Sequence, residues 1–301
     1  MLNPEQPAGE PAGRPDAAPA AQTLSPGFYL VALPIGNLRD ITLRALDSLA
    51  AADAIVCEDT RVTAKLLRHY GITKPMVAYH DHNAGQVRPR LIARATAGQA
   101  LAVVTDAGLP GISDPGYKLV RAAWEAGCKV TVLPGPSAPV TALVSSGLPT
   151  DRFLFAGFLP QKAQARAAAW ADLARVPATV VVFESTRRLP ASLADLAAID
   201  PDRPVAVARE LTKLHEEIRR GSAAILAAAY AHEGPPKGEV TLVVGPPAKA
   251  ATSAEDLDAA LEAALASATL RDATDQVVAE TGLPRRVVYQ RALALSRDRD
   301  P

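Results

Sequence analysis

Leu101-Ala102-Val103-Val104-Thr105-Asp106-Ala107-Gly108-Leu109-Pro110-Gly111-Ile112-Ser113-Asp114-Pro115-Gly116 is the stretch on which the fold turns. The run 101–105 reads as a buried strand, apolar as a parallel sheet requires. A turn rich in Gly and Pro follows. Asp114-Pro115 then opens a helix, because Asp can cap free amides and Pro fits the first helical position. Three more apolar runs end in the same way, at Leu33-Pro34-Ile35-Gly36-Asn37, at Leu133-Pro134-Gly135-Pro136-Ser137-Ala138 and at Phe183-Glu184-Ser185-Thr186. Ligands of open α/β sheets bind beyond the carboxyl ends of strands. Glycine lets backbone approach a ligand closely. Four such ends imply one shared small-molecule site.

Working outward, strands are predicted at 28–33, 54–57, 76–79, 101–105 and 129–133. Helices are predicted at 40–50, with Asp40 as N-cap, at 63–69 and 86–97, and after Asp114 and Ser137. Strands alternating with short helices indicate a parallel sheet. Leu148-Pro149-Thr150-Asp151 reads as a hinge. Beyond it, strands are predicted at 153–155, 179–183, 205–208 and 239–244, with helices near 162–175, 189–198 and 222–232. The domain reading is a disordered Pro/Ala-rich arm at 1–26, α/β domains at 27–147 and 148–247, a linker at 248–253 and a helical tail at 254–297. The tail breaks at Gly282-Leu283-Pro284.

The 301 residues balance Lys+Arg 32 against Asp+Glu 32, which argues against coating nucleic acid by bulk charge. Hydrophobic residues make up 49%, enough for a sizeable core. The 2 Cys, Cys57 and Cys128, form no disulfide framework and suit a reducing compartment. No run approaches the roughly 18 apolar residues of a membrane span. The first 25 residues lack a secretory pattern, so a cytoplasmic location is expected. No GxxxxGK[ST] occurs, and the glycines after Thr105 do not fit G-x-G-x-x-G. Asp106 at a strand end disfavours phosphate and favours a hydroxyl pair, an amino group or a positive centre. His80-Asp81-His82 would place both His side chains on one strand face. No third ligand accompanies them, so no metal is expected.

The motifs Leu-Pro-Ile-Gly-Asn-Leu, Glu58-Asp59-Thr60-Arg61, Asp106 through Gly116 and Pro134-Gly135-Pro136-Ser137-Ala138 occur in order. Phe183-Glu184-Ser185-Thr186-Arg187-Arg188-Leu189, Arg209-Glu210-Leu211-Thr212-Lys213 and Lys237-Gly238-Glu239 follow them. Together they resemble the small-subunit ribosomal RNA methyltransferases of the tetrapyrrole methylase superfamily, from about Gly27 to Val244 and again in the tail. The resemblance implies two α/β domains of the tetrapyrrole-methylase type, a cofactor cleft between them and a small C-terminal helical tail. It implies S-adenosylmethionine as methyl donor, 2′-O-methylation of a cytidine in the decoding region of 16S rRNA within the 30S subunit, and a homodimer. Carried over by motif, the cofactor residues are Pro34, Asp106, Ala107, Gly108, Ile112, Ser113, Ser137, Ala138, Phe183 and Glu184.

Methyl transfer is an in-line displacement, so holding oxygen, carbon and sulfur collinear supplies much of the catalysis. A ribose hydroxyl needs a proton acceptor. Glu58, Asp59, the run His80-Asp81-His82-Asn83 and Glu210 all qualify by chemistry. Glu58, Arg61 and Lys213 are the catalytic candidates, with Arg61 and Lys213 expected at RNA phosphate or the ribose. Basic residues cluster at Arg61, Lys65 and Arg68, at Arg187 and Arg188, and at Arg285, Arg286 and Arg291 in the tail. The tail fits a helix-turn-helix that contacts RNA, or a brace. Aromatics at 4% leave little for extensive base stacking. Two other readings stay open on residues alone: a methylase of this fold acting on a tetrapyrrole or other small molecule, and a non-catalytic RNA-binding assembly factor.

Overall fold

Two five-stranded sheets lie in one unit that ends at Pro246. The computed structural model describes residues 23–114, 116–248 and 254–297. The first sheet comprises β1 (Gly27–Val31), β2 (Ala54–Cys57), β3 (Met76–Ala78), β4 (Ala100–Val103) and β5 (Val130–Leu133). Its order is β3-β2-β4-β1-β5, and every pairing is parallel. β1, β2 and β4 are buried at each residue. Alternate side chains feed two cores, Tyr29, Val31, Ile55 and Ala102 on one face and Phe28, Leu30, Val56 and Leu101 on the other. Burial on both faces is why these strands read as unbroken apolar runs.

The connecting helices are α1 (Leu43–Ala51), α2 (Thr60–His69), α3 (Ala84–Thr96) and α4 (Gly116–Glu125). Asp40 does not cap α1. A single 3₁₀ turn over Leu38–Asp40 intervenes, and Asn37 caps it through Arg39 N at 3.1 Å. Thr42 then caps α1, its hydroxyl accepting from Ala45 N at 3.1 Å. α2 starts at Thr60 rather than at 63, because Asp59 accepts from Arg61 N at 2.8 Å and so satisfies its first turn.

The second sheet comprises β6 (Phe153–Phe158), β7 (Thr179–Glu184), β8 (Pro204–Arg209), β9 (Glu217–Ser222) and β10 (Val240–Val244), in the order β6-β7-β10-β8-β9. Only β6 and β7 pair in parallel. β9 is absent from the strands predicted above, and its sequence, Glu-Ile-Arg-Arg-Gly-Ser, explains why. It is an edge strand, and edges carry charge instead of an apolar run.

Val180, Val182, Val207 and Leu242 pack with Trp170 of α6 (Ala163–Leu173), with Leu193 of α7 (Leu189–Ile199) and with Tyr230 of α8 (Ala223–Glu233). On the opposite face, Val181, Ala206, Ala208 and Val243 meet Ala142 and Leu143 of α5 (Ala138–Ser146), together with Ile35. Although α5 lies within the expected first domain, 27–147, it packs on the second sheet. Arg220 pins its end, donating from Nε to Ser146 O at 2.6 Å. The chain therefore crosses between sheets at the Pro-Gly-Pro-Ser turn, ahead of the Leu148–Asp151 hinge.

Near the start, Leu24 packs against the first core and Ser25 Oγ shares a 3.0 Å hydrogen bond with Tyr29 OH. The end of the expected arm is thus held. Its residues 1–22, and 249–253 of the expected linker, lie outside the described residues.

The unit from Pro247 onward holds α9 (Ala254–Leu265), α10 (Leu270–Thr281) and α11 (Arg285–Arg297) around Leu261, Val277, Val288 and Ala292. α10 stops at Gly282, whose φ of +68° lies in the left-handed region. Among the described residues no helix is long and apolar enough to cross a membrane.

Candidate functional site

In the first sheet β4, β1 and β5 are neighbours and β2 flanks β4. Their carboxyl ends therefore emerge side by side, and the turns there are joined. Leu33 N donates to Gly108 O at 2.9 Å and Gly108 N to Leu33 O at 3.1 Å. This two-bond bridge ties the β1 turn to the β4 turn. Gly108 sits at φ +79°. A Cβ there would lie 3.3 Å from Ile35 Cγ2 and 3.6 Å from Pro136 O, so the β5 turn is in contact too. On the β2 side, Asp59 N donates to Asp106 Oδ1 at 3.2 Å.

The long β4 turn is closed by Asp114. Its carboxylate accepts from Gly111 N at 2.8 Å and from Gly116 N at 2.6 Å, which also opens α4 as expected. Ser113 takes φ +61°, a strained value for a residue with a side chain. Ser137 is the N-cap residue of α5, yet its side chain makes no capping bond. Its hydroxyl therefore stands at the positive end of a helix, available to an anionic group. Pro34, Asp106, Ala107, Gly108, Ile112, Ser113 and Ser137 thus lie on the joined turns, and Ala138 opens α5 directly after them.

Phe183 and Glu184 come from the second sheet, at the end of β7. Phe183 packs edge-on against Phe155, ring centroids 5.0 Å apart. The Glu184 side chain is buried; Oε1 accepts from Ser185 N at 2.7 Å and pairs with Arg188 at 2.7 Å. Arg188 also donates to Leu159 O and Pro160 O. Glu184 braces the ends of β6 and β7 as placed.

A small pocket lined by Cys57, Glu58, Tyr79, Thr105, Pro110 and Asp114 runs beside the acidic side of the site. Burial first, then the negative charges of Asp106, Asp114 and Asp81, push the Glu58 carboxyl above its ordinary value. Asp106 is raised as well, by burial, which outweighs the hydrogen bond from Asp59 N. Asp59 goes the other way, down to about 2, because Arg61 binds it through side chain and backbone. Arg61 itself is 87% exposed, with NH2 2.7 Å from Asp59 Oδ2.

Lys213 is enclosed. Its Nζ lies 2.8 Å from Glu210 Oε1 and 2.9 Å from Glu239 Oε2. Glu210 and Thr212 carry φ of +51° and +65°. A Cβ on Gly36 would lie 2.5 Å from Lys213 Cγ, 2.8 Å from Thr212 Oγ1 and 2.9 Å from Leu211 O. The β1 turn is thus pressed against the turn after β8. His80 and His82 are not on a strand; they lie in the turn into α3, where Asn83 Oδ1 accepts from His80 N at 2.9 Å.

The residue that sequence reasoning misses is Phe158. The predicted strand stops at Phe155, yet Gly157-Phe158-Leu159-Pro160 carries the same Gly/Pro signature as the four recognised ends. In the tail, Arg285 pairs with Asp275 at 2.7 Å and Arg291 with Asp258. Much of the expected basic cluster is therefore neutralised within the tail.

A family model described as Tetrapyrrole (Corrin/Porphyrin) Methylases matches residues 27–227, and one described as RsmI C-terminal HTH domain matches 250–296. A protein of Mesorhizobium japonicum named ribosomal RNA small subunit methyltransferase I is 49% identical over 276 residues, 91% of this chain and 94% of its own. One of the same name from Erythrobacter litoralis is 50% identical over 92% of this chain and 98% of its own. Among solved structures, uroporphyrin-III-C-methyltransferase from Thermus thermophilus matches with TM-score 0.52 at 25% identity, covering 72% of this chain and 93% of its own. Cobalt precorrin-4 methyltransferase matches with TM-score 0.53 at 18% identity, over 72% and 94%, and shows the fold.

Proposed function

This chain belongs to the tetrapyrrole methylase family, and from that premise we propose that it methylates ribosomal RNA with S-adenosylmethionine as donor. The acceptor is the ribose 2′-hydroxyl of a cytidine in the decoding region of 16S rRNA, within the 30S subunit. The observation that supports the reading is the Leu33–Gly108 bridge, which joins the β1 turn to the β4 turn that carries Asp106 and Ser113. The family, and relatives named for this reaction over nine-tenths of the chain, supply the reaction class.

The residues fit the donor. It carries a cationic sulfonium and amino group, a carboxylate and a ribose diol. Asp106 matches the positive or diol portions, and Ser137 at the α5 N-terminus matches the carboxylate. At Gly135 a Cβ would lie 2.8 Å from Ala32 Cβ, so this turn hugs β1 and leaves its outer side open. When bound, S-adenosylmethionine supplies an electrophilic methyl group. The chain's part is positioning, with the turns holding the reactants in line.

Glu58 accepts the hydroxyl proton in this reading. Its raised affinity for a proton makes it a stronger base than an ordinary carboxylate. Arg61, exposed beside it, meets RNA phosphate. Phe183 flanks the donor through the aromatic cluster, and Glu184 holds that cluster's frame. Lys213 acts by position, locking the β1 turn.

A homodimer suits the exposed apolar side chains on α5 and on the free sheet edges. Val140 and Val144 are 47% and 69% exposed one turn apart, and Phe153 on β6 is 45% exposed. Sedimentation at micromolar concentration checks this; a monomer there removes it. A cytoplasmic location follows from the substrate and suits two free thiols.

The deciding experiment incubates the protein with labelled S-adenosylmethionine and 30S subunits lacking the modification, then maps the labelled nucleotide. Label on a decoding-region ribose supports the reading; label on a base, or only on a porphyrinoid, overturns it. Asp106→Asn keeps the shape and the Asp59 contact but removes the charge. Donor affinity by calorimetry is expected to fall about tenfold or more, the scale of a lost charged hydrogen bond. Unchanged affinity takes Asp106 out of the site.

A further inference from the structure

Phe158 is 61% exposed at the carboxyl end of β6. Its orientation is set from behind. It leans on Phe183, ring centroids 5.1 Å apart and planes tilted by 50°, and Phe183 in turn stands edge-on to Phe155 at 5.0 Å. β6 and β7 run parallel, and Phe158 is the register partner of Phe183. Both rings therefore sit at the end of the second sheet where the β6 and β7 turns emerge.

A register shift between Phe155 and Phe158 bends the strand end. Gly157 takes φ +67° in that bend, and a Cβ there would lie 3.3 Å from Ser113 Oγ. The bend thus brings Phe158 beside the β4 turn that carries Asp106. In the segments that follow β6 and β7, Gln161, Lys162 and Arg187 are exposed, and among the described residues neither Lys162 nor Arg187 has an ion-pair partner. Arg188 is different, being held by Glu184.

We propose that Phe158 is a stacking platform for the base of the acceptor nucleotide, with Arg187 and Lys162 taking the flanking phosphates. The proposal rests on the reading that RNA is the substrate. An aromatic ring with one face braced and the other wet is the feature that receives an unstacked base. An apolar protein partner would need a wide apolar rim, whereas the segments leaving β6 and β7 expose Gln161, Lys162 and Arg187. One such ring suffices for one flipped-out nucleotide, so the low aromatic content is no obstacle. Stacking reads no base edge, so the ring holds the nucleotide and shape selects it.

The test compares unaltered protein, Phe158→Ala and Phe158→Trp. Methylation of unmodified 30S subunits, donor affinity, melting temperature and sedimentation are all measured. Phe158→Ala is expected to lower kcat/KM for subunits about tenfold to a hundredfold, with donor affinity within about twofold of the parent. Phe158→Trp, which keeps a stacking face, is expected to restore most of the loss. Arg187→Gln is expected to make binding of subunits less sensitive to salt.

Full activity in Phe158→Ala overturns the proposal. So does a parallel loss of donor affinity, which assigns the ring to the donor pocket, or a loss traced to subunit dissociation. A folded Phe158→Trp as inactive as the alanine variant also overturns it. If the unaltered protein binds donor but methylates no RNA, the functional reading has failed first, and that result is visible without any variant.

Discussion

Gly36→Ala is expected to lower methylation of 30S subunits about a hundredfold while the protein still folds. The reason is local. An alanine Cβ at this position would sit 2.5 Å from Lys213 Cγ, 2.8 Å from Thr212 Oγ1 and 2.9 Å from Leu211 O. The lysine stem can move; the Leu211 carbonyl is backbone and cannot move alone. Glu210 and Thr212 already hold left-handed φ values, so that turn has little freedom to absorb a push. Relief comes by lifting the β1 turn, which the Leu33–Gly108 bridge transmits to the turn carrying Asp106. Overpacking of this kind costs about 1–3 kcal/mol in stability. Misplacing reacting groups by about 1 Å costs far more in rate than in stability. Thermal unfolding together with methyl incorporation checks both. A variant with a parent-like rate would show that the junction does not position the site.

Lys213→Met is expected to destabilise the fold by about 2–3 kcal/mol. Breaking a fully buried ion pair costs about 3–5 kcal/mol. The figure is reduced here because Glu239 is 69% exposed and remains solvated. Glu210 is the group left stranded, at 17% side-chain exposure.

The pH dependence follows from the same contacts. Burial alone would lower the Lys213 value, but Glu210 and Glu239 together outweigh it and raise it above the ordinary 10.5. Burial alone would raise Glu210, but Lys213 and Glu239 N hold it below the ordinary 4.5. The stabilisation from Lys213 is therefore complete below pH 10.5 and fades as pH rises through its raised folded value. That from Glu210 is complete above pH 4.5 and fades as pH falls through its lowered folded value. In Lys213→Met burial acts on Glu210 against Glu239 N and the smaller pull of Arg209 alone, so its folded value rises above the parent's and acid protonates it sooner. The gap between parent and variant is then expected to narrow below about pH 5, read by denaturant unfolding at several pH values. A gap independent of pH would show that packing of the stem, not charge, is what the lysine contributes.

Each strand-end turn of the first sheet is readable because its signal is local. The Pro/Gly punctuation after Val31, Val103 and Leu133 names a turn whatever lies around it. Asp114 and Ser137 are legible as helix starts on the same local grounds, and both stand there. Asp40 fails for a reason of equal locality. Thr42, two residues on, offers a hydroxyl that reaches the third amide of α1. β9 is invisible because an edge strand needs no apolar run. Phe158 escapes because the strand reading stops at Phe155, short of Gly157, where the chain in fact bends and continues.

What the amino-acid sequence determined alone was the alternation of elements, the apolar strands and the chemistry of the turns, since all of these depend on near neighbours along the chain. Only the tertiary structure decided that α5 belongs to the second sheet, that Gly36 abuts Lys213, and that Gly157 abuts Ser113. Those contacts join segments distant in sequence. Side-chain volume and backbone approach set them, and neither leaves a periodic trace that a linear reading can follow.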